Sequence, residues 1–341
     1  MRADYWLQSE TKNKVLKKIE GEIISKKAEL IASKDSGCHS MFQRKALDEL
    51  ALMFRVFRRD EETFKLIIKH MCPYIEKRGT ELIQDENLSK NPIEFTKKLL
   101  ELKAEMDQMI EYSFQQQLPF QLGRDNSFQT FINNSEYSAL YIATFSDHEM
   151  RSGFKGVTEE DINKRLDAII DLFRCLNSRD MFMGQYLQHF SQRLLDKSFQ
   201  SKEAEEQMLS KLQIEHGYKE VSRMLQMFKD ILVLSKETKD DFAVSATGRT
   251  VQNQFDFNIE ILSSSIWPNL GGSNPCSIPP QMAQAVSSFE IYYKNKHAKR
   301  KLEWIQSHGN VELITLYTKG RKYQLVTTVP QTAILMLFSS Q

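Results

Sequence analysis

Residues 182–235 constrain the fold of this chain more than any other stretch, because apolar side chains recur there at spacings of three and four. This period places one residue of each turn on the same side of an α-helix. Three such sets follow one another: Phe182, Tyr186, Phe190 and Leu194, then Met208 and Leu212, then Val221, Leu225, Phe228 and Leu232. The pattern predicts three consecutive amphipathic helices.

Two local breaks separate the three predicted helices. Residues 196–201 are polar apart from Phe199, which suits them to end one helix and cap the next. Gly217 can adopt the left-handed backbone conformation that commonly terminates a helix. Because both breaks fall between the apolar sets, the sequence predicts a helical bundle rather than one long helix.

The order of residues in this stretch also resembles the cullins, which are the scaffold subunits of multisubunit ubiquitin ligases. The family pattern runs from a Phe and a Tyr through a Leu-Leu pair, a Ser-rich turn and a helix ending in Gly to a Met-Phe-x-Asp-Ile run before a Ser. The matching residues are Phe182, Tyr186, Arg193, Leu194, Leu195, Ser198, Ser201, Lys211, Leu212, Gly217, Met227, Phe228, Asp230, Ile231 and Ser235. Gln192 and residues 213–216 depart from the pattern, so the chain resembles a divergent member.

Helical patterns also fill the first half of the chain. Apolar residues recur at helical spacing over 47–54 and 64–75, and Gly79 is predicted to end the second of these helices. Packed helical hairpins are the simplest fold for such a pattern.

Two further helix starts are marked by capping residues. Asn91 is a good helix cap, and Pro92 after it suits the first helical position. Thr158, with Asp161 three residues later, resembles a capping box. Both sites predict the start of a long helix.

The resemblance to cullins extends along nearly the whole chain and implies a division into three parts. It implies a cullin-repeat-like helical region over 1–125, a helical bundle over 126–252 and an α/β domain over 253–341. The predicted fold is therefore mainly α: a cullin-repeat-like helical stack, then a helical bundle, then a small mixed α/β domain with a β-sheet. The residues that carry the resemblance outside the opening stretch include Phe95, Leu99, Leu100, Glu101, Leu102, Lys103, Phe114, Phe128, Phe131, Ile132, Asn133, Leu262, Ser263, Trp267, Pro268, Phe289, Tyr292, His297, Arg300, Leu302 and Trp304.

The sequence period changes from helical to alternating after residue 253. Phe255, Phe257, Ile259 and Ile261 alternate with polar or acidic neighbours, which predicts a half-buried strand over 256–266. A helix is expected over 282–295, and a further helix is expected to begin near residue 331. Two more alternating runs around a glycine predict a hairpin. Its residues are Val311, Leu313 and Thr315, then Gly320, then Tyr323, Leu325 and Thr327.

Composition excludes several classes of partner. The 341 residues carry 46 Lys and Arg against 45 Asp and Glu, and a net charge of +1 gives no reason to expect binding to nucleic acid or to an anionic membrane. No apolar run approaches the roughly 20 residues that cross a bilayer, and the first residues lack a secretory signal. We therefore expect no membrane segment and a cytoplasmic and nuclear location.

The residue types that most often carry chemistry are scattered along the chain. Cys38, Cys72, Cys175 and Cys276 form no CxxC pair, which is typical of reduced thiols and not of disulfides or a zinc site. Adjacent carboxylates, as at 159–160, are typical of helix starts rather than of a catalytic acid and base. The sequence predicts a non-catalytic protein with no metal and no cofactor.

The resemblance implies that the function lies in binding partners. Cullins accept a strand from a RING-box protein into a small sheet, and that protein brings a ubiquitin-conjugating enzyme. Carried over to this chain, the resemblance implies a RING-box-binding surface at Ile259, Ile261, Leu262, Trp267, Val311, Leu313 and Thr315. The chain would then act as a scaffold for ubiquitin-dependent protein degradation. A substrate adaptor is expected only if an N-terminal repeat precedes residue 1, and the terminal winged-helix domain of a complete cullin would follow residue 341.

The sequence leaves two questions open. The basic residues Lys299, Arg300 and Lys301 form either a solvated helix end or a patch for an acidic partner. The chain is alternatively a cullin-like subunit of the anaphase-promoting complex, or a helical adaptor with no role in ubiquitin transfer. The LLELK helix and the FINN phrase favour an ordinary cullin.

Overall fold

The computed structural model describes residues 11, 14, 15, 18, 21–252, 254–268, 277–314 and 322–339. Thr315, Gly320 and Cys276, which the sequence analysis singled out, lie outside these residues. The described chain is mainly helical, with a small antiparallel sheet near the C-terminus. It divides into two compact units, Met1–Tyr186 with Gln200–His216, and Leu187–Phe199 with Gly217–Gln341. The three-part division implied by the resemblance stays a prediction.

Helices form nearly all of the described first unit. Their bounds are α1 Lys26–Ala32, α2 Cys38–Gln43, α3 Leu47–Phe57, α4 Glu61–Gln84, α5 Pro92–Phe114, α6 Leu118–Ile132, α7 Ser138–His148, α8 Glu159–Arg174, α9 Arg179–Leu195 and α10 Lys202–His216. Of these, α9 belongs to the first unit only up to Tyr186 and to the second unit from Leu187 onward. Helix α4 packs against α6, and α5 packs against α3 and α7. Across the described ranges, no helix combines the length and the apolarity that a bilayer span requires.

Both predicted helix starts are confirmed. The Asn91 side chain accepts a hydrogen bond from the backbone N–H of Glu94 at 3.3 Å, and Pro92 occupies the first position of α5. Thr158 accepts from the backbone N–H of Asp161 at 3.3 Å at the start of α8. Each cap satisfies one of the backbone donors that a helix start leaves without an intrahelical partner.

The helix end predicted at Gly79 is wrong, because α4 continues to Gln84. Gly79 is buried where α4 meets Phe131 of α6, and a β-carbon at this position would lie 2.4 Å from the Phe131 ring. The glycine therefore permits close packing of two helices and does not mark a turn. Tertiary packing outweighs the low helix propensity of glycine here.

The three consecutive helices predicted from the opening stretch are confirmed as α9, α10 and α11, the last spanning Tyr218–Lys229. Gly217 does separate the second from the third. Its φ of 101° and ψ of −179° lie outside the predicted left-handed helical region, in a region that is almost exclusive to glycine. Of the predicted apolar set, Leu225 and Leu232 are only half-buried.

The described second unit combines helices with a hairpin. After α11, a π-helical segment covers Asp230–Ser235, and the remaining elements are α12 Lys236–Val244, α13 Ala246–Gln252, α14 Pro280–Lys296, β1 Asn310–Ile314, β2 Gln324–Thr328 and α15 Val329–Ser339. The helices predicted over 282–295 and from residue 331 are therefore confirmed. The hairpin is also confirmed: β1 and β2 are antiparallel, with Val311 opposite Thr327 and Leu313 opposite Leu325.

The strand predicted over 256–266 is wrong. Residues 256–263 contain no helix, turn or bend, yet within the described part of the chain they do not pair with another strand. The alternation itself is real, since Ile259 and Ile261 are buried and Asn258 is exposed. Two alternating sides require only an extended chain over a core, whereas a strand also requires a hydrogen-bonding neighbour.

Candidate functional site

The candidate site is the docking segment, which we define as residues 256–263, together with the helical residues that hold it. Its inward side chains belong to the hydrophobic core of the second unit. The buried members of this core are Phe242, Val251, Ile259, Ile261, Ala285, Phe289 and Tyr293, with Phe257 and Trp304 among the half-buried residues around them. The segment is thus fixed by its side chains along one face, because helices α12, α13 and α14 form the core beneath it.

Asp230 is the main polar anchor of this region. Its side chain lies at the start of the π-helical segment and is fully buried. Oδ2 accepts from the backbone N–H of Ser263 at 2.9 Å and from the Trp267 indole N–H at 3.0 Å. Oδ1 accepts from the Ser263 hydroxyl at 3.2 Å and from Gln226 at 3.1 Å. Four donors thus satisfy the acceptor sites of a carboxylate that is removed from water.

Ser235 provides a second anchor five residues further along the same helical run. Its hydroxyl donates to the carbonyl oxygen of Asp230 at 2.7 Å and accepts from the backbone N–H of Ile261 at 2.7 Å. Asp230 and Ser235 are both buried. The π-helical segment directs both side chains toward the docking segment, since they accept hydrogen bonds from Ser263 and Ile261. Irregular helical turns of this kind often occur at functional sites.

Two basic residues also hold the docking segment and the turn that follows it. Arg223 of α11 donates from Nε to the carbonyl oxygen of Ile266 at 2.5 Å. Lys197, just after α9, forms an ion pair with Glu260. The docking segment is therefore held at Glu260, Ile261 and Ser263 by groups outside itself, and the turn that follows it is held at Ile266.

The structure describes six of the seven predicted RING-box-binding residues, and these lie in four settings. Ile259 and Ile261 lie in the core, so their side chains face the protein's own helices. Trp267 is 4% exposed and is tied to Asp230. Leu262 is half-buried in the docking segment. Val311 and Leu313 are half-buried in β1, and Thr315 lies outside the described residues.

The backbone of the docking segment pairs with no other strand in the described part of the chain. Among the described residues, no backbone–backbone hydrogen bond joins residues 256–262 to another segment. Backbone N–H and C=O groups are strong hydrogen-bonding groups that native structures almost always pair when buried. An extended segment with unpaired backbone groups is a template for an added strand.

The hairpin presents apolar side chains on its outer face. Ile314 and Val326 lie on this face and are 65% and 67% exposed. On its other face, the Thr327 and Thr332 hydroxyls lie 2.8 Å apart, which joins β2 to α15. The hairpin is therefore covered by α15 on one side.

The basic residues Lys299, Arg300 and Lys301 lie in the irregular stretch after α14 and are all exposed. The Arg300 guanidinium donates to the Tyr293 hydroxyl at 3.4 Å. Lys296, at the end of α14, is already paired with Asp241. In the described ranges, no ion pair joins residues 299–301 to an acid, so their charges face solvent.

The cysteines of the described chain are free thiols. Burial raises the pKa of Cys38 to about 11 and the pKa of Cys175 to about 11, which leaves both thiols protonated at neutral pH. Cys72 is half-buried, and burial raises its pKa as well. Within the described residues, no three His, Cys, Asp or Glu side chains gather as metal ligands would.

The sequence analysis singled out most of the anchoring residues but did not show which groups they bind. Asp230, Ser235, Ser263 and Trp267 all carried the resemblance to cullins. Nothing in their spacing showed that the carboxylate of Asp230 would meet an indole more than 30 residues away. Arg223 gave no signal at all, because a single arginine on a helix is usually a solvated residue.

The sequence matches two family models that together cover nearly the whole chain. The model described as the cullin alpha solenoid domain matches residues 1–239, and the model described as the cullin alpha+beta domain matches residues 261–341. Residues of both matched ranges form the anchored site, because Asp230 and Ser235 belong to the first and Ser263 and Trp267 to the second.

Curated relatives match along nearly the full length of this chain. Cullin-3A of Arabidopsis thaliana is 29% identical over 344 residues, which is 99% of this chain and 46% of the relative. Cullin-3 of Dictyostelium discoideum is 29% identical over 100% of this chain and 44% of the relative, and Cullin-4A of Mus musculus is 28% identical over 98% and 43%. The chain thus spans less than half the length of these relatives. The family match over more than half of the chain shows that it belongs to the cullin family.

Proposed function

We propose that this chain acts as a scaffold subunit of a cullin-RING ubiquitin ligase and contributes no catalytic group of its own. The proposal is supported by its membership of the cullin family and by the open backbone of the docking segment. The main structural support for the proposal is that residues 256–262 have no backbone–backbone hydrogen bond to another segment in the described part of the chain. Ligase activity would come from partners that the chain holds in place.

The docking segment offers the geometry of β-augmentation by a RING-box protein. Ile259 and Ile261 hold the segment on its core, while the anchors at Asp230 and Ser235 fix its position. A pre-ordered segment lowers the entropic cost of adding a strand, because only the incoming chain must become ordered. Main-chain hydrogen bonds would then supply affinity, and the RING-box protein would bring the ubiquitin-conjugating enzyme.

The first unit offers a rigid support, which a scaffold needs in order to fix distances. Lys103 of α5 donates to Asp107 at 3.1 Å and to Asp171 of α8 at 2.8 Å. Arg174 of α8 forms ion pairs with Asp171 at 3.0 Å and with Glu215 of α10 at 2.6 Å. Burial lowers the pKa of Lys103, but the hydrogen bond to Asp171 and the two nearby carboxylates outweigh it and raise the pKa overall. These ion pairs connect three helices, and fixed distances are what proximity catalysis requires.

The exposed residues Lys299, Arg300 and Lys301 suit a second contact with an acidic partner, such as an acidic tail on a conjugating enzyme. Reversing all three to Glu should slow association at low salt and flatten its salt dependence, while RING-box binding stays intact. Stopped-flow measurements at several salt concentrations test this. Equal rates for the variant and the parent at low salt would assign these residues to a solvated surface only.

The alternatives are less well supported. The curated relatives described above are ordinary cullins, which favours this class over the cullin-like subunit of the anaphase-promoting complex. A helical adaptor with no role in ubiquitin transfer would need only the first unit, whereas the anchored docking segment belongs to the second. Substrate-adaptor binding stays an expectation for a protein that carries a preceding repeat.

Co-expression of the full chain with a RING-box protein tests the proposal directly. We expect a stable complex, and we expect Leu262→Pro to abolish it, because proline removes a backbone donor from the docking segment. Ser264→Pro is the matched control. Ser264 is exposed at the second position of the turn that Ile266 N–H closes onto the Ser263 carbonyl, where proline is tolerated. A parent chain that binds no RING-box protein would refute the proposal.

A further inference from the structure

Two anchored backbone donors of the docking segment lie two residues apart. The N–H of Ile261 reaches the Ser235 hydroxyl at 2.7 Å, and the N–H of Ser263 reaches Asp230 Oδ2 at 2.9 Å. Both acceptors belong to the same π-helical segment. Helical side chains therefore occupy the position that a neighbouring strand would otherwise take along this edge.

The opposite edge follows from the geometry of an extended chain. Successive residues direct their N–H and C=O groups to opposite edges, so residues two apart share an edge. Since Ile261 and Ser263 face the helical anchors, Asn258, Glu260 and Leu262 face away from them. In the described part of the chain, no hydrogen bond engages the backbone groups of these three residues.

We propose that Asp230 and Ser235 select the edge at which the docking segment accepts a partner strand. Their side chains occupy the backbone donors on the edge of Ile261 and Ser263. The edge of Asn258, Glu260 and Leu262 is then the one that pairs with the partner strand, and we call it the pairing edge. This inference rests on the proposed strand addition and specifies the edge at which the strand adds. Asp230 and Ser235 act as positioning residues, because they hold the segment and leave the pairing edge to the partner.

The two faces of the segment also define the partner's chemistry. Ile259 and Ile261 lie over the core, whereas Asp256 and Asn258 are exposed and Glu260 is partly exposed on the other face. Side chains of an added strand lie in register with these rows, and opposite charges are favoured across a strand pair. The partner is thus an extended segment in which apolar residues alternate with basic or polar ones.

Hydrogen exchange resolved at single residues tests the edge assignment. In the free full-length chain, we expect slow exchange at Ile261 and Ser263 and fast exchange at Glu260 and Leu262. Saturating RING-box protein should slow exchange at Glu260 and Leu262 at least tenfold and leave Ile261 and Ser263 unchanged. Fast exchange at Ile261 and Ser263 in the free chain would overturn the inference.

The same experiment separates this inference from the proposed function. If the RING-box protein binds but protects only residues 310–314 or 324–328, the edge assignment is refuted and the scaffold function stands. If no complex forms at all, the scaffold function itself is refuted.

A variant of the anchor tests whether Ser235 positions the segment or only stabilises the fold. Ser235→Ala should speed exchange at Ile261 at least tenfold and slow RING-box association severalfold, without changing exchange at Phe289 in the same core. Ser222→Ala is the matched control, because the Ser222 hydroxyl bonds only to the nearby Lys219 carbonyl. Equal acceleration at Ile261 and Phe289 would show a merely structural role and would refute the inference.

Discussion

The docking segment and the hairpin have the same alternating sequence pattern, yet only the hairpin forms a sheet. Val311 and Leu313 pair with Thr327 and Leu325 in the antiparallel ladder of β1 and β2. The docking segment buries its alternate residues equally well but bonds to the side chains of Asp230 and Ser235 instead of to a strand. Alternation thus predicts which side chains are buried, whereas strand formation depends on what lies beside the backbone.

This difference bears on the scaffold function proposed above. A hairpin pairs two strands of one chain, so its inner edges are already used. The docking segment is ordered by its core and by two side-chain anchors while keeping its backbone open on one edge. Such a segment is pre-organised for a partner without being paired in the free chain.

The largest effect should come from α11, the helix that leads directly into the anchors Asp230 and Ser235. Phe228 of α11 is buried and stacks on Phe190, with ring centroids 6.4 Å apart. Phe228→Ala should lower the free energy of unfolding by roughly 3 to 5 kcal/mol, because it leaves a cavity beside the anchor helix. Thermal unfolding of the full chain measures it. An unchanged midpoint would show that Phe228 does not stabilise the helix that carries the anchors.

Removing the Asp230 carboxylate should have the next largest effect. Asp230→Ala leaves the Ser263 N–H and the Trp267 indole N–H buried without an acceptor, which should cost about 2 to 4 kcal/mol. Asp256→Ala is the control, since Asp256 is exposed in the same segment and should change stability by less than about 0.5 kcal/mol. Urea unfolding followed by tryptophan fluorescence compares the two. Equal losses would mean that the segment is not anchored through Asp230.

A matched pair of proline variants tests the contrast between the two regions directly. Leu262 and Leu313 are both half-buried, but Leu313 lies in the β1–β2 ladder, whereas Leu262 pairs with no strand in the described part of the chain. In the free chain, Leu313→Pro should cost about 1 to 3 kcal/mol more than Leu262→Pro, because proline fits poorly into a paired strand, whereas residues 256–262 pair with no strand in the described part of the chain. Urea unfolding of both variants without a partner measures the difference. Equal costs would show that the docking segment is already paired in the free chain.

Helices were the most predictable part of this fold. Caps at Asn91 and Thr158 act through the next few residues, so local sequence contains the whole signal. The same holds for the three helices from Phe182 onward, whose apolar spacing fixes the buried face. Gly79 failed as a helix end because its role is set by Phe131, which lies 52 positions away in sequence.

The resemblance named residues of the candidate site but not the contacts that hold them, and their role in binding stays a prediction. The resemblance to cullins pointed to Ile259, Ile261 and Trp267, and all three lie at or beside the docking segment. The sequence did not show that the backbone would bond to Asp230 and Ser235, because such contacts depend on where a π-helical turn directs two short side chains. Long-range polar contacts have no period for a pattern to detect.

The smallest expected effect concerns Lys197, which links the end of α9 to the docking segment. Its N–H bonds to the Leu194 carbonyl at 3.3 Å, and the N–H of Ser198 bonds to the Arg193 carbonyl at 3.0 Å. These are the two hydrogen bonds of a Schellman motif, in which the residue at Lys197 usually is glycine. Lys197 instead adopts a φ of 50°, which is strained for a residue with a β-carbon.

Two substitutions of Lys197 therefore separate backbone strain from its ion pair with Glu260. Lys197→Ala loses the ion pair and keeps the strain, whereas Lys197→Gly loses the ion pair and relieves the strain. The Gly variant should be about 1 kcal/mol more stable than the Ala variant. Relative to the parent, the Ala variant should lose less than about 1 kcal/mol, since the Lys197 and Glu260 side chains are 58% and 28% exposed. If both variants bind a RING-box protein as the parent does, the ion pair is dispensable for docking and the segment depends on Asp230 and Ser235. If both bind equally weakly despite their different stabilities, Lys197 holds Glu260 on the pairing edge, and the anchors of the docking segment number three rather than two.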